Sequence, residues 1–160
     1  MKEVRLTQGK VALVDDEDFK ELNSHNWYTQ KCGGGSNTYA CRWIRPQAKG
    51  RQVRIFMHRQ ILDIADGIEI DHIDGDGLNN QKENIRECSH QGNSFNRRKI
   101  KKTSSVFKGV WREDKKWRAA IRHNDKLIHI GRFVLEADAA NAYNLAAIEH
   151  FGEFARLNEI

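Results

Sequence analysis

Apolar residues in this chain occur only in short runs, such as Val11-Ala12-Leu13-Val14, each broken by turn formers or charge. A chain patterned this way cannot build one large core and folds as small units with modest interiors. The length of 160 residues leaves room for one compact domain or two small ones. Hydrophobic residues make up 39% and charged residues 31%, which favours two. No run approaches the roughly 18 apolar residues of a membrane-spanning helix, so no membrane partner is expected. No apolar stretch follows Met1-Lys2-Glu3-Val4-Arg5, which predicts no secretory signal and a location in the cytoplasm.

The formal net charge of +5 is unevenly placed. Residues 1–94 nearly balance. Residues 95–132 hold 13 basic against 3 acidic side chains, an excess of +10, and residues 133–160 hold Arg156 against 5 acids. Aromatic residues are interleaved with this charge. The combination predicts a polyanion partner, double-stranded DNA above all, over a merely solvated basic face.

The cysteines are Cys32, Cys41 and Cys88, with no Cys-x-x-Cys. They read as reduced thiols in preference to a zinc site joined by His90. Asp15-Asp16-Glu17-Asp18 reads as an acidic helix start, whose carboxylates cap free N–H groups, rather than as a metal site.

The fold class expected is α+β. Residues 1–60 read as short strands, with a hairpin tip at Gly33-Gly34-Gly35-Ser36-Asn37 and strands at Tyr39 to Ile44 and Gln52 to Met57 around the turn Pro46 to Gly50. A short helix begins near His58. A strand at Ile68 to Ile70, a returning strand Asn84 to Cys88 and a helix Gln91 to Arg98 capped by Ser89 follow. Residues 95–104 read as a basic linker between a domain of residues 1–94 and a second of residues 105–160. In the latter, Trp117-Arg118-Ala119-Ala120-Ile121-Arg122 alternates with period 2, with Trp117, Ala119 and Ile121 facing the core. Flanking strands at Phe107 to Arg112 and Leu127 to Phe133 complete a three-stranded antiparallel sheet. A helix at Glu136 to His150, with Ala139, Ala142, Tyr143 and Ala146 on its inner side, covers one face.

The chemically loaded segment is Glu69-Ile70-Asp71-His72-Ile73-Asp74-Gly75-Asp76-Gly77-Leu78-Asn79-Asn80, continued by Asn84-Ile85-Arg86 and Asn93. It resembles the HNH (histidine-metal, ββα-metal finger) endonucleases, of the homing type found in phage and mobile elements. Asp71-His72 looks like the family's Asp-His pair. Asn84, 12 residues later, matches its middle Asn, and Asn93, 9 further on, its third motif position. His58-Arg59 resembles the Met-His-Arg that precedes the motif in such members. The resemblance implies a nuclease finger with a β-rich N-terminal extension, Asp71 and Asn93 as ligands of one divalent ion, and Asn84 as a loop brace. Mg²⁺ is the ion expected, with Mn²⁺ as an alternative, and no small-molecule cofactor.

The chemistry stands independently. A neutral imidazole is a suitable base near neutral pH, which assigns His72 as general base. A hard cation needs few protein oxygens. Arg86 is open between a contact to the scissile phosphate and an ion pair. Asn79 and Asn80 read as turn formers, and His90 as an exposed helix residue. His72, Asp74, Asp76, Gly77 and Glu83 also overlay a calcium-binding EF-hand loop, but its first position is His and its flank is strand-like.

Residues 105–158 resemble the plant ethylene-response-factor (APETALA-type) DNA-binding domain. The residues that carry this are Ser105-Val106-Phe107-Lys108-Gly109-Val110-Trp111, Lys116 to Arg122, Ile130-Gly131-Arg132-Phe133, Glu136-Ala137 to Tyr143, and Leu157-Asn158. The resemblance places Lys108, Trp111, Arg118, Arg122 and His129 on or near a groove-facing sheet, although Trp111 and His129 replace the residues usual there. Trp111 is open between core and DNA. Arg97, Arg98, Lys99, Lys101 and Lys102 of the linker are expected against phosphate. The function expected is a DNA endonuclease that works as a monomer or weak dimer. The alternative is a DNA-binding regulator whose nuclease module does not cut.

Overall fold

The computed structural model describes residues 1–32, 37–45, 50–65, 67–99 and 104–160. The glycine-rich tip at 33–36, residues 46–49 of the expected turn, and Lys101 and Lys102 lie outside the described residues. The architecture is α+β, with several small antiparallel sheets and few helices. The chain divides into two compact units, Met1–His90 and Gln91–Ile160.

In the first unit, β1 (Lys2–Arg5) pairs antiparallel with β2 (Val11–Val14), and α1 (Asp16–Leu22) follows. A second sheet has the order β3 (Tyr28–Lys31), β4 (Thr38–Ile44), β5 (Val53–Phe56). Val4, Leu6, Ala12, Val14, Leu22, Trp27, Ala40 and Met57 make the core. Trp27 is fully buried, and its indole N–H is satisfied by the Leu22 carbonyl at 2.8 Å. Helix α2 (Met57–Leu62) starts directly from β5 and ends at Asp63 in the left-handed region, φ 49°. Arg59 then donates to the carbonyls of Ala65 and Ile68, which fixes the approach to β6 (Glu69–His72). β6 pairs antiparallel with β7 (Ile85–Cys88), with Asp71 opposite Arg86 and His72 opposite Ile85.

Helix α1 starts on the acids as expected, with Asp16, Glu17 and Asp18 in its first turn, but Asp15, at the N-cap position, makes no side-chain cap. Its carboxylate accepts from the Lys82 amide at 2.8 Å and from Gln81 Nε2 at 3.3 Å, while Lys82 pairs with Glu17 and Asp18. The long connection between β6 and β7 supplies donors that compete successfully with the first turn of the helix.

The second unit begins with most of α3 (His90–Phe95), which is shorter than the helix expected to reach Arg98. Strands β8 (Val110–Glu113), β9 (Lys116–His123) and β10 (Lys126–Phe133) form a three-stranded antiparallel sheet in the order β10-β9-β8. The β9–β10 turn places Asn124 and Asp125 at φ 49° and 60°, a conformation these two residue types tolerate. Ala119 and Ile121 face the core with Trp117 against it, as their parity requires.

Helix α4 (Glu136–Phe151) covers this face with Ala139, Ala140, Tyr143, Ala147 and Phe151. Ala140 and Ala147 thus take the inner place expected of Ala142, and Ala146 is only partly buried. The alanine-rich sequence permits more than one helical phase, and the bulky Tyr143 and Phe151 decide it. Phe95 of α3 stacks on Phe151 with ring centroids 3.8 Å apart. Phe95 therefore packs against the same core. Asn158 closes the unit: its side chain accepts from the Lys108 amide at 2.6 Å and donates to the Lys108 carbonyl at 3.1 Å.

Gly109 has φ +73°, and a Cβ there would lie 2.0 Å from the Tyr143 ring and 2.8 Å from the Ala120 carbonyl. Gly109→Ala adds left-handed strain to overpacking and lowers the stability of the second unit by about 2–5 kcal/mol. Chemical denaturation of the full chain reads this directly, with the first unit's transition unmoved.

Candidate functional site

β6 ends in Asp71 and His72, both 5% exposed. The Asp71 carboxylate receives Arg86 through Nε at 3.2 Å and a terminal nitrogen at 3.0 Å. Their register as direct neighbours across the hairpin makes this pair possible. Of the two roles open to Arg86, the ion pair is the one observed.

The loop from Ile73 to Asn84 is closed on itself. Asn84 accepts from the Asp74 amide at 3.1 Å and donates to Asp74 Oδ1 at 3.0 Å and to the Asn79 carbonyl at 2.8 Å. Asp74 also accepts from the Asp76 amide at 2.7 Å and from Asn79 at 2.8 Å. Burial opposes ionisation of Asp74, but these donors outweigh it and hold its carboxyl below the usual range. Both Asp74 oxygens are thus turned to the loop's own donors, and Asp76 accepts from the Leu78 amide at 3.0 Å. These carboxylates bind the loop's own amides.

Asn80, read from sequence as a turn former, is fully buried and lies beside the imidazole. Its amide donates to the Leu78 carbonyl at 3.0 Å, which turns Oδ1 toward His72 Nε2 at 3.5 Å. An amide oxygen only accepts, so an Nε2–H tautomer of His72 would donate to it and leave the ring's lone pair on Nδ1. The Asn80 backbone is itself stitched to β2, donating to the Leu13 carbonyl at 2.8 Å, while the Leu13 amide donates to the Leu78 carbonyl at 2.9 Å. Burial lowers the pKa of His72, against the opposing pull of Asn80 and the nearby Asp74, Asp71 and Asp76. Burial thus favours the neutral form of the imidazole. No spacing in the sequence marks Asn80, because its place is fixed by β2, far upstream in the chain.

Asn93 lies within α3 in the second unit, and His90, at the end of the first, pairs with Glu69 at 2.7 Å. Among the described residues no three His, Cys, Asp or Glu side chains are grouped to hold a metal ion. Cys41 is buried in β4 and Cys88 ends β7. At the end of β6 the Asp71 carboxylate is an oxygen donor of the type that fits a hard cation keeping most of its water.

In the second unit, Trp111, Arg118 and His129 share one face of the sheet. The Arg118 guanidinium lies 5.4 Å from the Trp111 ring, and donates to His129 Nδ1 at 3.2 Å and to Glu113 at 2.7 Å. Arg132 also pairs with Glu113. Trp111 is therefore outside the core, which takes Trp117 instead. Arg122 is exposed and donates to the Asp125 carbonyl at 3.2 Å. Arg97 and Arg98 are exposed after α3. Lys99 and Lys108 turn inward: Lys99 donates to the carbonyls of Ser105 and Phe107, and Lys108 to that of Phe95. Burial, aided by Arg156, pulls the Lys108 pKa down to about 8.

A hairpin presenting a carboxylate and a neutral, oriented imidazole can take a proton from water beside a cation-bound phosphate, the requirement of a phosphodiester hydrolase. The model of the HNH endonuclease family matches residues 63–95, which include Asp71, His72, Asn84 and Asn93. An uncharacterised HNH endonuclease of Acanthamoeba polyphaga mimivirus is 33% identical over 156 residues, 96% of this chain and 77% of the relative. The chain belongs to the HNH endonuclease family, whose substrate is DNA.

His58 is buried, and burial, with lesser contributions from His72 and Arg59, pulls its pKa down to about 3. The native state therefore refuses a proton that the unfolded chain accepts below the ordinary value of 6.5. Stability is full above that value and falls toward pH 3 by up to about 1.4 kcal/mol per pH unit from this group. Denaturant titrations across the acid range from neutrality down to about pH 4 should show that slope reduced in His58→Phe.

Proposed function

We propose that the protein is a homing-type DNA endonuclease in which His72 is the general base, one divalent ion is bound through Asp71 and Asn93, and the second unit holds the DNA. The observation that carries the reading is the Asp71-His72 pair at the end of β6, with His72 Nε2 facing the Asn80 oxygen. His72 takes the proton of a water at Nδ1 as that water attacks phosphorus, and the cut leaves 5′-phosphate and 3′-hydroxyl ends. When bound, Mg²⁺ supplies positive charge that stabilises the phosphate and the departing oxygen. Arg86 holds Asp71 in place, and Asn84 braces the loop that carries Asn80.

The sheet face of Trp111, Arg118 and His129, with the exposed Arg122, Arg97 and Arg98, is the DNA-contacting set we favour, in an APETALA-type domain. Glu113 pairs with Arg118 and Arg132 in the unbound state, and phosphate replaces it on binding. Lys99 and Lys108 serve the interior of the unit. Tethering a small catalytic hairpin to such a unit raises its local concentration on DNA.

Purified protein with Mg²⁺ or Mn²⁺ should nick or cut supercoiled DNA, and His72→Ala should slow the cleavage by about 10²–10⁴-fold while DNA binding persists. Intact DNA across many sequences under these conditions defeats the proposal in favour of a non-cleaving regulator. Arg118→Ala with Arg122→Ala should weaken binding and reduce the salt slope by about 0.9 for each phosphate neutralised by the native pair. A slope equal to that of the unaltered protein removes the sheet face from the assignment.

A further inference from the structure

His72 is enclosed by rings that come from outside its own hairpin. His58 of α2 lies 5.1 Å from it at 84°, edge to face, and Tyr39 of β4 lies 5.6 Å away at 52°. His58 in turn stacks on Phe56 at 5.5 Å and 10°, and meets Tyr39 at 5.6 Å and 72°. The frame is rigid on both sides. Met57, next to His58, is fully buried in the core. Gly77 of the loop lies so close to Tyr39 that a Cβ would stand 2.5 Å from its ring.

His58 breaks a rule of buried positions. It is 8% exposed, and its Nδ1 is buried with no hydrogen-bond partner among the described residues. A residue present only to fill space would be aliphatic or phenyl, since an unpaired buried nitrogen is unfavourable. Departures of this kind concentrate at functional positions. Imidazole is the smallest aromatic side chain. It fits between Phe56 and His72 while keeping a flat face or edge toward the base. Being neutral, it does not repel the imidazolium that His72 becomes on taking a proton.

We propose that His58 is a positioning residue for His72: with Tyr39 it clamps the imidazole so that Nε2 stays on Asn80 and Nδ1 stays directed away from it, toward the water. The kinetic consequences rest on the nuclease reading, whereas the clamp geometry is independent of it.

In the full chain with Mg²⁺ and a cleavable duplex, His58→Leu, which keeps bulk but loses the flat ring, should lower kcat by about tenfold or more. KM and DNA affinity should stay within about twofold. His58→Phe, flat but larger than imidazole, should recover part of the rate. In a His72→Ala background, His58→Leu should change the residual rate no further. An unchanged kcat, a Phe variant as poor as Leu, or an undiminished effect without His72 overturns the proposal. The ring ¹⁵N spectrum of metal-free protein supplies the second arm. His72 should be a single Nε2–H tautomer in the unaltered protein and a mixture in His58→Leu or, if that variant does not fold, in His58→Gln. Identical tautomers overturn the clamp. If the unaltered protein cuts no DNA, the nuclease reading fails by itself, and the spectra still decide the positioning role.

Discussion

The first unit depends on how its longest described connection, Ile73 to Asn84, is held. A loop of this length between two four-residue strands would be floppy unless its backbone found partners. Three short residues provide them. Asn84 and Asp74 bind each other and the chain between them, and the backbone of Asn80 ties the loop to β2. The same bonds that order the loop set the Asn80 oxygen beside His72 Nε2, so loosening the loop would also remove that neighbour from the imidazole.

What can be read in the sequence is local. The period-2 alternation around Trp117 and Ile121, the Asn-Asp turn before β10 and the Asp-His strand end are all set by neighbouring residues, and the strands and turn are found there. The second helix of the first unit and the 136–151 helix also lie close to their expected places. What cannot be read is non-local. Asp15 binds a backbone amide at Lys82, and His58 meets His72 across the fold. No spacing rule reports such contacts, because they depend on how α1 and α2 pack rather than on any period. The inner face of α4 departs from its expected phase for a related reason. With alanines at 139, 140, 142, 146 and 147 the hydrophobic pattern is nearly degenerate, and Tyr143 and Phe151 select the phase by their size.

The basic excess of residues 95–132 is not all surface. Lys99 and Lys108 commit their ammonium groups to main-chain carbonyls, and Arg118 and Arg132 share Glu113. A linear tally of cations therefore overstates the field that a polyanion would meet, while the Arg118–Trp111 stack concentrates what is left on one face.

The aromatic stack of Phe95 on Phe151 has a consequence for how such proteins can be recombined. A crossover placed in the basic stretch after α3 would separate Phe95 from its slot. The upstream fragment would carry a bare ring into water, and the downstream fragment would keep a vacant place on Phe151. Any exchange of the second unit that keeps this stack breaks the chain before Phe95, so that the ring is inherited together with the sheet and helix that receive it.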